Sequence, residues 1–292
     1  MAEADARIEL AEGSAQLWWT TTPVVPDERV GLIGGWLPGA DPGGLLQACC
    51  AHLLAAGCTL VLGPMDGSTW RSYRLTTWRG THPRFALEPD TPDAWPAHWL
   101  AAGFTVDATY YSALIEPIRL IDPRLPAVEA RLAGEGVRLR QLDPGGDYDG
   151  ELRRIHRVSL AAFAGNHLYT PQSEAEFVAQ YQAARQLVRP GLCWLAERGD
   201  EPVGFVFTIP DIEQQRRGAP VDTLIVKTLA VLPERRLAGL GKLLTVRAHD
   251  GGAALGLTRA IHALMHEGNH SRNLTGDATV IRRYSLYRKH LA

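Results

Sequence analysis

The stretch VLPERRLAGLGKLL, residues 231–244, decides the interpretation of this chain. A run rich in β-branched residues over 222–233 ends in proline, and two arginines and two glycines then lead into a helical pattern. Gly239 and Gly241 allow a backbone to approach a ligand closely, and the N–H groups at the start of a helix favour an anion. The stretch therefore predicts a strand, an anion-binding loop and a helix.

Length and composition favour a two-domain globular protein with an anion site in its second half. The chain has 292 residues, and its 46% hydrophobic and 21% charged content allows each half to bury a core. Residues 1–120 carry 7 basic and 13 acidic side chains, whereas residues 121–292 carry 23 basic and 19 acidic ones, a net charge of +4. This charge suits an anionic ligand, but it is too small to indicate nucleic-acid binding.

The N-terminus and the cysteines favour a cytoplasmic protein without a metal. The first 14 residues contain no basic segment followed by an apolar run, so we expect no signal peptide. The apolar stretches are too short to span a membrane. Cys49, Cys50, Cys58 and Cys193 lack the CxxC spacing of metal or redox sites. We therefore expect reduced, buried thiols, no metal and no membrane association.

A second segment follows the same order of elements. Residues 29–38 predict a strand that ends in proline, Asp41 is a helix N-cap followed by Pro42, and residues 58–65 predict the next strand. Gly57 ends the helix between them. The apolar helix positions, which recur at i, i+3, i+4 and i+7, are Leu46, Cys49, Cys50 and Leu53. Strand, helix, glycine and strand thus occur twice in the chain.

Comparison of the two segments indicates a diverged duplication. Leu45 follows Pro38 by seven positions, and Leu243 follows Pro233 by ten, so the first loop is three residues shorter. The first loop has no arginine, and Asp41 puts a carboxylate where an anion would bind. We therefore predict anion binding at the second loop alone.

The other segments predict the elements around these two units. They are a proline-rich linker over 115–130, strands over 137–142, 258–266 and 278–291, a helix over 151–164, a helix that starts at the Ser173–Glu176 capping box, and two hairpin strands over 192–211. The helix after the second loop should present one apolar face and end near Gly256. The predicted face consists of Leu240, Leu244, Ala248 and Leu255.

This order of elements, with V-x-P-x-x-R-x-x-G-x-G from Val231 to Gly241, resembles the GNAT superfamily of acyl-CoA-dependent N-acetyltransferases. The resemblance covers about residues 135–292, and the first half resembles the same fold through its strand–helix–strand order. It implies an α/β fold (α+β mixed sheet) built as two tandem GNAT-like modules, each a twisted mixed sheet flanked by helices, with a degenerate N-terminal copy. The expected boundaries are 1–118 for the first module, 119–134 for a linker and 135–292 for the acyl-CoA-binding module.

Competing phosphate-binding motifs do not fit the spacing. A P-loop needs Ser or Thr after its lysine, but Lys242 is followed by Leu243, and a GxGxxG fingerprint needs glycine at position 244. The remaining alternative is a helix start whose glycines serve packing and whose arginines are solvated.

The resemblance implies acetyl-CoA (acyl-CoA) as co-substrate. Its pyrophosphate would lie on the loop, and its pantetheine would pair with backbone groups where the preceding strand splays from its neighbour. The residues expected to bind the coenzyme are Leu229, Ala230, Val231, Arg236, Leu237, Ala238, Gly239, Leu240, Gly241, Lys242, Asn269 and Ser271.

The catalytic positions of the family depart from its pattern here. The strand positions that often hold a carboxylate base carry Ile225 and Lys227, and the position of the usual tyrosine acid falls at Thr275 or Gly276. His266 and Glu267 remain as candidates for the base, with ordinary pKa values near ~6.5 and ~4.3. Alternatively, both residues are only solvated polar groups at the end of a strand.

The resemblance implies an amine acceptor, either a small molecule or a protein or peptide amine. Asn166, His167 and Tyr169 are the candidate acceptor residues, and tryptophans of the first module are candidates for an apolar wall. We expect an N-acyltransferase that is a monomer or homodimer and binds neither nucleic acid nor membrane. The alternative function is a catalytically silent acyl-CoA-binding sensor or regulatory protein.

Overall fold

The computed structural model describes residues 3–11, 13–268 and 278–292. These residues form one twelve-stranded mixed sheet flanked by helices, which confirms the predicted fold class. The strands are β1 (Ala6–Leu10), β2 (Gly13–Trp18), β3 (Val30–Pro38), β4 (Leu60–Gly63), β5 (Leu75–Arg79), β6 (Thr105–Ile115), β7 (Val137–Gln141), β8 (Trp194–Arg198), β9 (Glu201–Pro210), β10 (Thr223–Val231), β11 (Arg259–His266) and β12 (Thr279–His290). The α-helices are α1 (Pro42–Ala55), α2 (Trp95–Ala101), α3 (Leu125–Gly134), α4 (Tyr148–Phe163), α5 (Glu174–Tyr181), α6 (Ile212–Arg216) and α7 (Leu240–Ala254).

Two parallel strand pairs occupy corresponding places in the sheet. The strand order is β1-β2-β3-β4-β12-β6-β11-β10-β9-β8-β7, with β5 paired on β12. β3 and β4 are parallel and joined by α1, and β10 and β11 are parallel and joined by α7. Both are therefore strand–helix–strand units of the kind that the sequence predicted.

The last strand of each half pairs with the other half. β6 comes from the first half, but it is hydrogen-bonded to β11, with Ile115 opposite Ala260. β12 ends the chain, but it is hydrogen-bonded to β4, with Tyr287 opposite Gly63, and to β5 and β6. The expectation of a separate sheet for each module is therefore corrected, because the exchanged strands join both halves into one hydrogen-bonded sheet. The module boundaries stay a prediction.

The helix starts predicted from capping residues are confirmed. Asp41 accepts a hydrogen bond from the Gly44 amide at 2.9 Å, and α1 begins at the next residue. Ser173 and Glu176 form the reciprocal capping box at the start of α5. The helix predicted over 151–164 begins three residues earlier, because the Asp147 carboxylate caps it.

One helix was not predicted, and one position expected on a buried helix face is exposed. The segment predicted as a linker contains α3, whose Leu125, Val128 and Leu132 pack in one apolar cluster with α7. Their i, i+3, i+7 spacing was a readable helical signal, but the surrounding prolines obscured it. Leu255 was expected on the buried face of α7; it follows the helix and is 56% exposed.

The first half has a closed apolar core. Trp36 and Trp99 pack edge to face at 5.6 Å in one cluster with the predicted face of α1. All four cysteines are buried and free, as expected from their spacing. Among the described helices, none combines the length and the apolar composition needed to cross a bilayer.

Candidate functional site

The predicted anion loop presents free backbone amides. After a short 3-10 turn at Arg235–Leu237, Gly239 adopts φ 87° and α7 begins at Leu240. The first bond of the helix runs from the Leu243 amide to the Gly239 carbonyl at 3.0 Å. Within the described part of the chain, the amides of Leu240 and Gly241 have no acceptor. The positive end of the helix dipole is therefore open to an anion.

The presence of glycine has a different explanation at position 239 than at position 241. A Cβ on Gly239 would lie 2.8 Å from Val128 Cγ1, and its positive φ disfavours other residues. A Cβ on Gly241 would meet nothing closer than Leu229 Cδ2 at 3.6 Å, which is ordinary contact. Packing therefore accounts for Gly239 but not for Gly241, whose missing side chain leaves room for a ligand.

Cations surround the loop. Arg236 is half exposed, and its Nε donates to Glu234 at 2.7 Å. Arg131 of α3 donates to the carbonyl oxygens of Arg236, at 2.6 Å, and of Ala238. Burial lowers the pKa of Lys242. Arg131 thus ties α3 to two carbonyl groups of the loop. This contact holds the loop in a conformation in which the amides of Leu240 and Gly241 stay free.

The two strands beside the loop diverge, as the resemblance implied. β10 and β11 are paired from Thr223–Arg259 to Val226–His262 and no further. Beyond that point β10 stays paired with β9, after a bulge at Lys227, and β11 stays paired with β6. The edge of β10 at Leu229, Ala230 and Val231 therefore faces a gap between the strands.

The gap leads into a cavity of about 720 Å³ between the sheet, α4, α5 and the segment 69–74. The candidate acceptor residues Asn166, His167 and Tyr169 line it. The first half also contributes to its wall, through Trp70, Tyr73, Arg74, Glu88 and Tyr110 among others. The cavity is thus built from both halves of the chain.

His266 lines this cavity as a neutral hydrogen-bond donor. Its ring packs edge to face against Tyr110 at 5.0 Å, and burial, with the charges of His167 and Arg74, lowers its pKa. Its Nδ1 accepts a hydrogen bond from the Gly268 amide at 3.0 Å. The neutral ring therefore carries its proton on Nε2.

Glu267 lies elsewhere. Its carboxylate accepts hydrogen bonds from Thr109 Oγ1 and from Arg283 Nη1, both at 2.6 Å, and the residue does not line the cavity. The structure therefore separates the two candidate bases. Asn269 and Ser271 lie outside the described residues.

The sequence analysis missed the cationic side chains that line the cavity, which among the described residues are Arg71, Arg74 and Lys227. Lys227 was considered there only as a missing carboxylate; burial, and secondly the charge of Arg74, lower its pKa to about 8. The Arg74 guanidinium lies 3.8 Å from the ring centre of Tyr73 and 4.0 Å from that of Tyr110. It also donates to the Leu264 carbonyl at 3.2 Å, across 190 residues of sequence. No local pattern could have indicated such a distant contact.

Among the described residues that line the cavity, the one carboxylate is already paired. Glu88 accepts hydrogen bonds from Arg282 Nε at 2.5 Å and from the Tyr284 hydroxyl at 2.7 Å. All three side chains are buried. Glu88 therefore serves a structural ion pair between the first half and β12.

Comparison with known proteins gives a family match for the second half. Residues 155–289 match the model of the Acetyltransferase (GNAT) family. A bacterial ceramide synthase from Caulobacter vibrioides (strain NA1000 / CB15N) is 25% identical over 170 residues, which are 58% of this chain and 44% of that protein. The chain thus spans less than half the length of this curated relative. The family match supports acyl transfer as the general class of reaction.

Solved structures share the fold over nearly the whole chain. A GCN5-related N-acetyltransferase from Sphaerobacter thermophilus has a TM-score of 0.52 and 14% identity, over 96% of this chain and 76% of that one. A tandem GNAT protein from the clavulanic acid biosynthesis pathway has a TM-score of 0.51 and 12% identity, over 95% of this chain and 78% of that one. The likeness therefore includes the first half as well as the matched family segment.

Proposed function

We propose that the chain is an N-acyltransferase that uses acetyl-CoA and acylates an amine in the cavity. The observation that carries this proposal is the position of Leu229. It lines the cavity, and its Cδ2 also lies 3.6 Å from where a Cβ on Gly241 would be. One ligand can therefore reach from the free amides of α7, along the free edge of β10, into the cavity.

The coenzyme would be held by the loop and the strand edge. Its pyrophosphate would accept hydrogen bonds from the Leu240 and Gly241 amides, with Arg236 and Lys242 contributing positive charge. Its pantetheine amides would pair with the backbone at Leu229–Val231, which has no strand neighbour on that side within the described ranges. This arrangement would bring the thioester to the cavity entrance beside Leu229.

The reaction then needs little from the side chains beyond positioning and proton transfer. The neutral amine attacks the thioester carbonyl, a C–N bond forms, and the C–S bond breaks as coenzyme A leaves as a thiolate. The amine nitrogen loses one proton, and the thiolate gains one. His266 is the proposed catalytic residue: its Nε2–H donates a hydrogen bond that stabilises the departing thiolate, and the proton that the amine loses reaches the sulfur through water.

The first half would be a diverged copy that lacks a coenzyme site. Its β3-α1-β4 unit corresponds to β10-α7-β11, which supports an internal duplication. The amide at the start of its helix is already occupied, because Asp41 accepts from Gly44. Its remaining role would be to supply one wall of the acceptor cavity.

The name of the curated relative agrees with this chemistry, because a ceramide contains an amide formed from an acyl group and an amine. The large cavity would admit an apolar ligand of some size. For this chain we propose amide formation with an acetyl group as the acyl group that is transferred.

The test is release of coenzyme A from acetyl-CoA over a panel of amines that includes amino acids, aromatic amines and a lysine peptide. We expect at least one amine to accelerate thiol release, and Arg236→Glu to abolish the effect. If acetyl-CoA binds and no amine accelerates release, the sensor alternative replaces the enzyme.

The two candidate catalytic residues form a matched pair of variants. His266→Ala should lower kcat by about 10²- to 10³-fold without changing the Kd for acetyl-CoA, since one hydrogen bond to a developing anion contributes about that much. Glu267→Gln should leave kcat within about threefold, because Glu267 pairs with Arg283 outside the cavity. The reverse result would assign the catalytic role to Glu267 in place of His266.

A further inference from the structure

The cavity has an apolar body. Its side walls carry aromatic rings from both halves of the chain and from α4 and α5. They include the rings of Trp70, Tyr73 and Tyr110 from the first half and of Phe163, Tyr169 and Phe177 from the second. Such a surface binds an apolar ligand through the area that it removes from water.

One end of this cavity carries a buried arginine with spare hydrogen-bonding capacity. Arg74 is 6% exposed, and its backbone is held at φ 73°, which is uncommon for a residue with a side chain. Its Nη1 donates to the Leu264 carbonyl, whereas its Nε is buried and has no partner among the described residues. The Nε edge, which can bind a carboxylate with two parallel bonds, is therefore unused.

A second cation lines the same cavity. Lys227 is the bulged residue of β10, at the point where β10 leaves β11. The positive charge of Arg74 acts on Lys227 and helps to lower its pKa. Within the described ranges neither cation forms an ion pair, and Glu88, the carboxylate that lines the cavity, is held by Arg282 and Tyr284. Two like charges thus share an apolar cavity without a counter-ion, which is unfavourable unless an anion binds there.

We propose that Arg74 and Lys227 bind the carboxylate of the small molecule that occupies the cavity. The Nε edge of Arg74 bonds both carboxylate oxygens, Lys227 balances the remaining charge, and the aromatic wall holds the apolar body. This inference rests on the proposed function for one point, that the ligand is a reactant of acyl transfer.

The carboxylate has two possible sources. It belongs either to the acceptor, which is then an amino acid with an apolar side chain, or to the acyl group, which is then a dicarboxylic acid bound to coenzyme A as a half-thioester and replaces the acetyl group. The chemistry at Arg74 is the same in both cases, and separate measurements distinguish them.

The binding test compares carboxylic acids with their neutral amides in the absence of coenzyme A. Butyrate, 3-phenylpropionate and octanoate are titrated calorimetrically into the wild-type chain, each beside its amide. We expect at least one acid to bind about 10- to 100-fold more tightly than its amide, which is typical of charge-assisted hydrogen bonds. If no acid binds better than its amide, the proposal is wrong.

Two variants separate anion binding from a structural role of Arg74. Arg74→Gln should abolish the preference for acid over amide, and Arg74→Lys should restore part of it, since lysine keeps the charge but not the two parallel bonds. Arg157→Gln is the matched control, because Arg157 is exposed, pairs with Glu201 and does not line the cavity; it should keep the preference. A purely structural arginine would weaken acid and amide equally, and that outcome also overturns the proposal.

Two further measurements show which reactant carries the carboxylate. Faster coenzyme A release with phenylalanine than with phenylalaninamide would assign the carboxylate to the acceptor. Tighter binding of succinyl-CoA than of acetyl-CoA, lost in Arg74→Gln, would assign it to the acyl group. Acetyl-CoA binding without any preference for carboxylates would refute this inference alone, whereas a preference without acetyl-CoA binding would refute the proposed function alone.

Discussion

At the residue scale, Gly241 distinguishes a ligand site from ordinary packing. A methyl group there would make only ordinary contacts, the nearest at 3.6 Å from Leu229, whereas one on Gly239 would lie 2.8 Å from Val128. The loop could thus fold without a glycine at 241. The space above its amide is therefore best explained by a bound group.

We predict that Gly241→Ala separates stability from binding. The variant should be as stable as the wild type or more stable by about 0.5–1 kcal/mol, because alanine is the better helix residue. Its affinity for acetyl-CoA should fall about tenfold or more, because a methyl group would occupy the approach of the pyrophosphate. Urea unfolding and calorimetric titration measure the two effects.

The matched control for this change is Gly134→Ala, at the end of α3, where a Cβ would meet no atom within 4 Å. It should leave the affinity unchanged. Equal affinity of wild type and Gly241→Ala would support the alternative that the loop is only a helix start.

At the element scale, α7 and β11 share a buried pair of histidines. His249 Nδ1 donates to the Ile118 carbonyl at 2.6 Å, and its Nε2 lies 3.0 Å from Nε2 of His262. Since the first bond places a proton on Nδ1, His262 must donate to His249. Burial lowers the pKa of His249 to about 4 and that of His262 to about 3. Both rings are therefore neutral near pH 7.

We predict that this pair makes stability depend on pH below about 6.5. In that range the unfolded chain binds protons that the folded chain excludes, so the free energy of unfolding falls as pH falls. Each histidine contributes a slope of about 1.4 kcal/mol per pH unit down to its folded pKa. Urea unfolding at pH 7.5, 6.0 and 5.0 measures the loss.

A double variant, His249→Gln with His262→Leu, should flatten this dependence. His52→Gln is the control, because His52 is exposed on α1, and it should keep the wild-type slope. An unchanged slope in the double variant would assign the pH dependence to other groups.

At the scale of the whole molecule, the exchange of β6 and β12 couples the two halves. β12 pairs with three strands of the first half, and the buried pair of Glu88 and Arg282 fixes it to the segment before α2. Neither half can unfold without breaking strand pairs of the other. The structure thus favours one cooperative unit over two independent domains.

We predict a single unfolding transition. Seven of the eight tryptophans lie in the first half, so fluorescence reports mainly on that half, while circular dichroism reports on the whole chain. The two curves should coincide in urea. Two separate midpoints would show that the halves unfold independently.

Glu88→Gln should lower the stability of this unit by about 3–5 kcal/mol, because it leaves the Arg282 charge buried without a partner. The exposed pair of Arg7 and Glu9 supplies the control, and Glu9→Gln should cost about 0–1 kcal/mol.

We also predict one coenzyme per chain. The second loop has free amides and nearby cations, whereas the helix start of the first half is capped by Asp41 and begins with a proline. Calorimetric titration with acetyl-CoA should give a stoichiometry near one, and Arg236→Glu should abolish binding without a large change in stability. A stoichiometry near two would mean that the first half also holds a coenzyme.

Local chemistry let the sequence predict much of the fold. The caps at Asp41 and Ser173, the two strand–helix–strand units and the loop at Gly239–Gly241 all depend on residues within a few positions of one another. Propensity, capping and periodicity act over that range, so these features follow from the order of residues alone. The match of residues 155–289 to the GNAT family agrees with that prediction.

Tertiary structure decided the remaining features. The exchange of β6 and β12, the packing of α3 on the loop through Arg131, and the meeting of Arg74 with Lys227 and Leu264 join residues more than 100 positions apart. No periodicity or cap encodes such contacts, because they form only when the whole sheet assembles and brings distant segments together. By itself the sequence therefore determined where a glycine loop would open into a helix with free amides, and the assembled sheet decided which side chains surround the cavity.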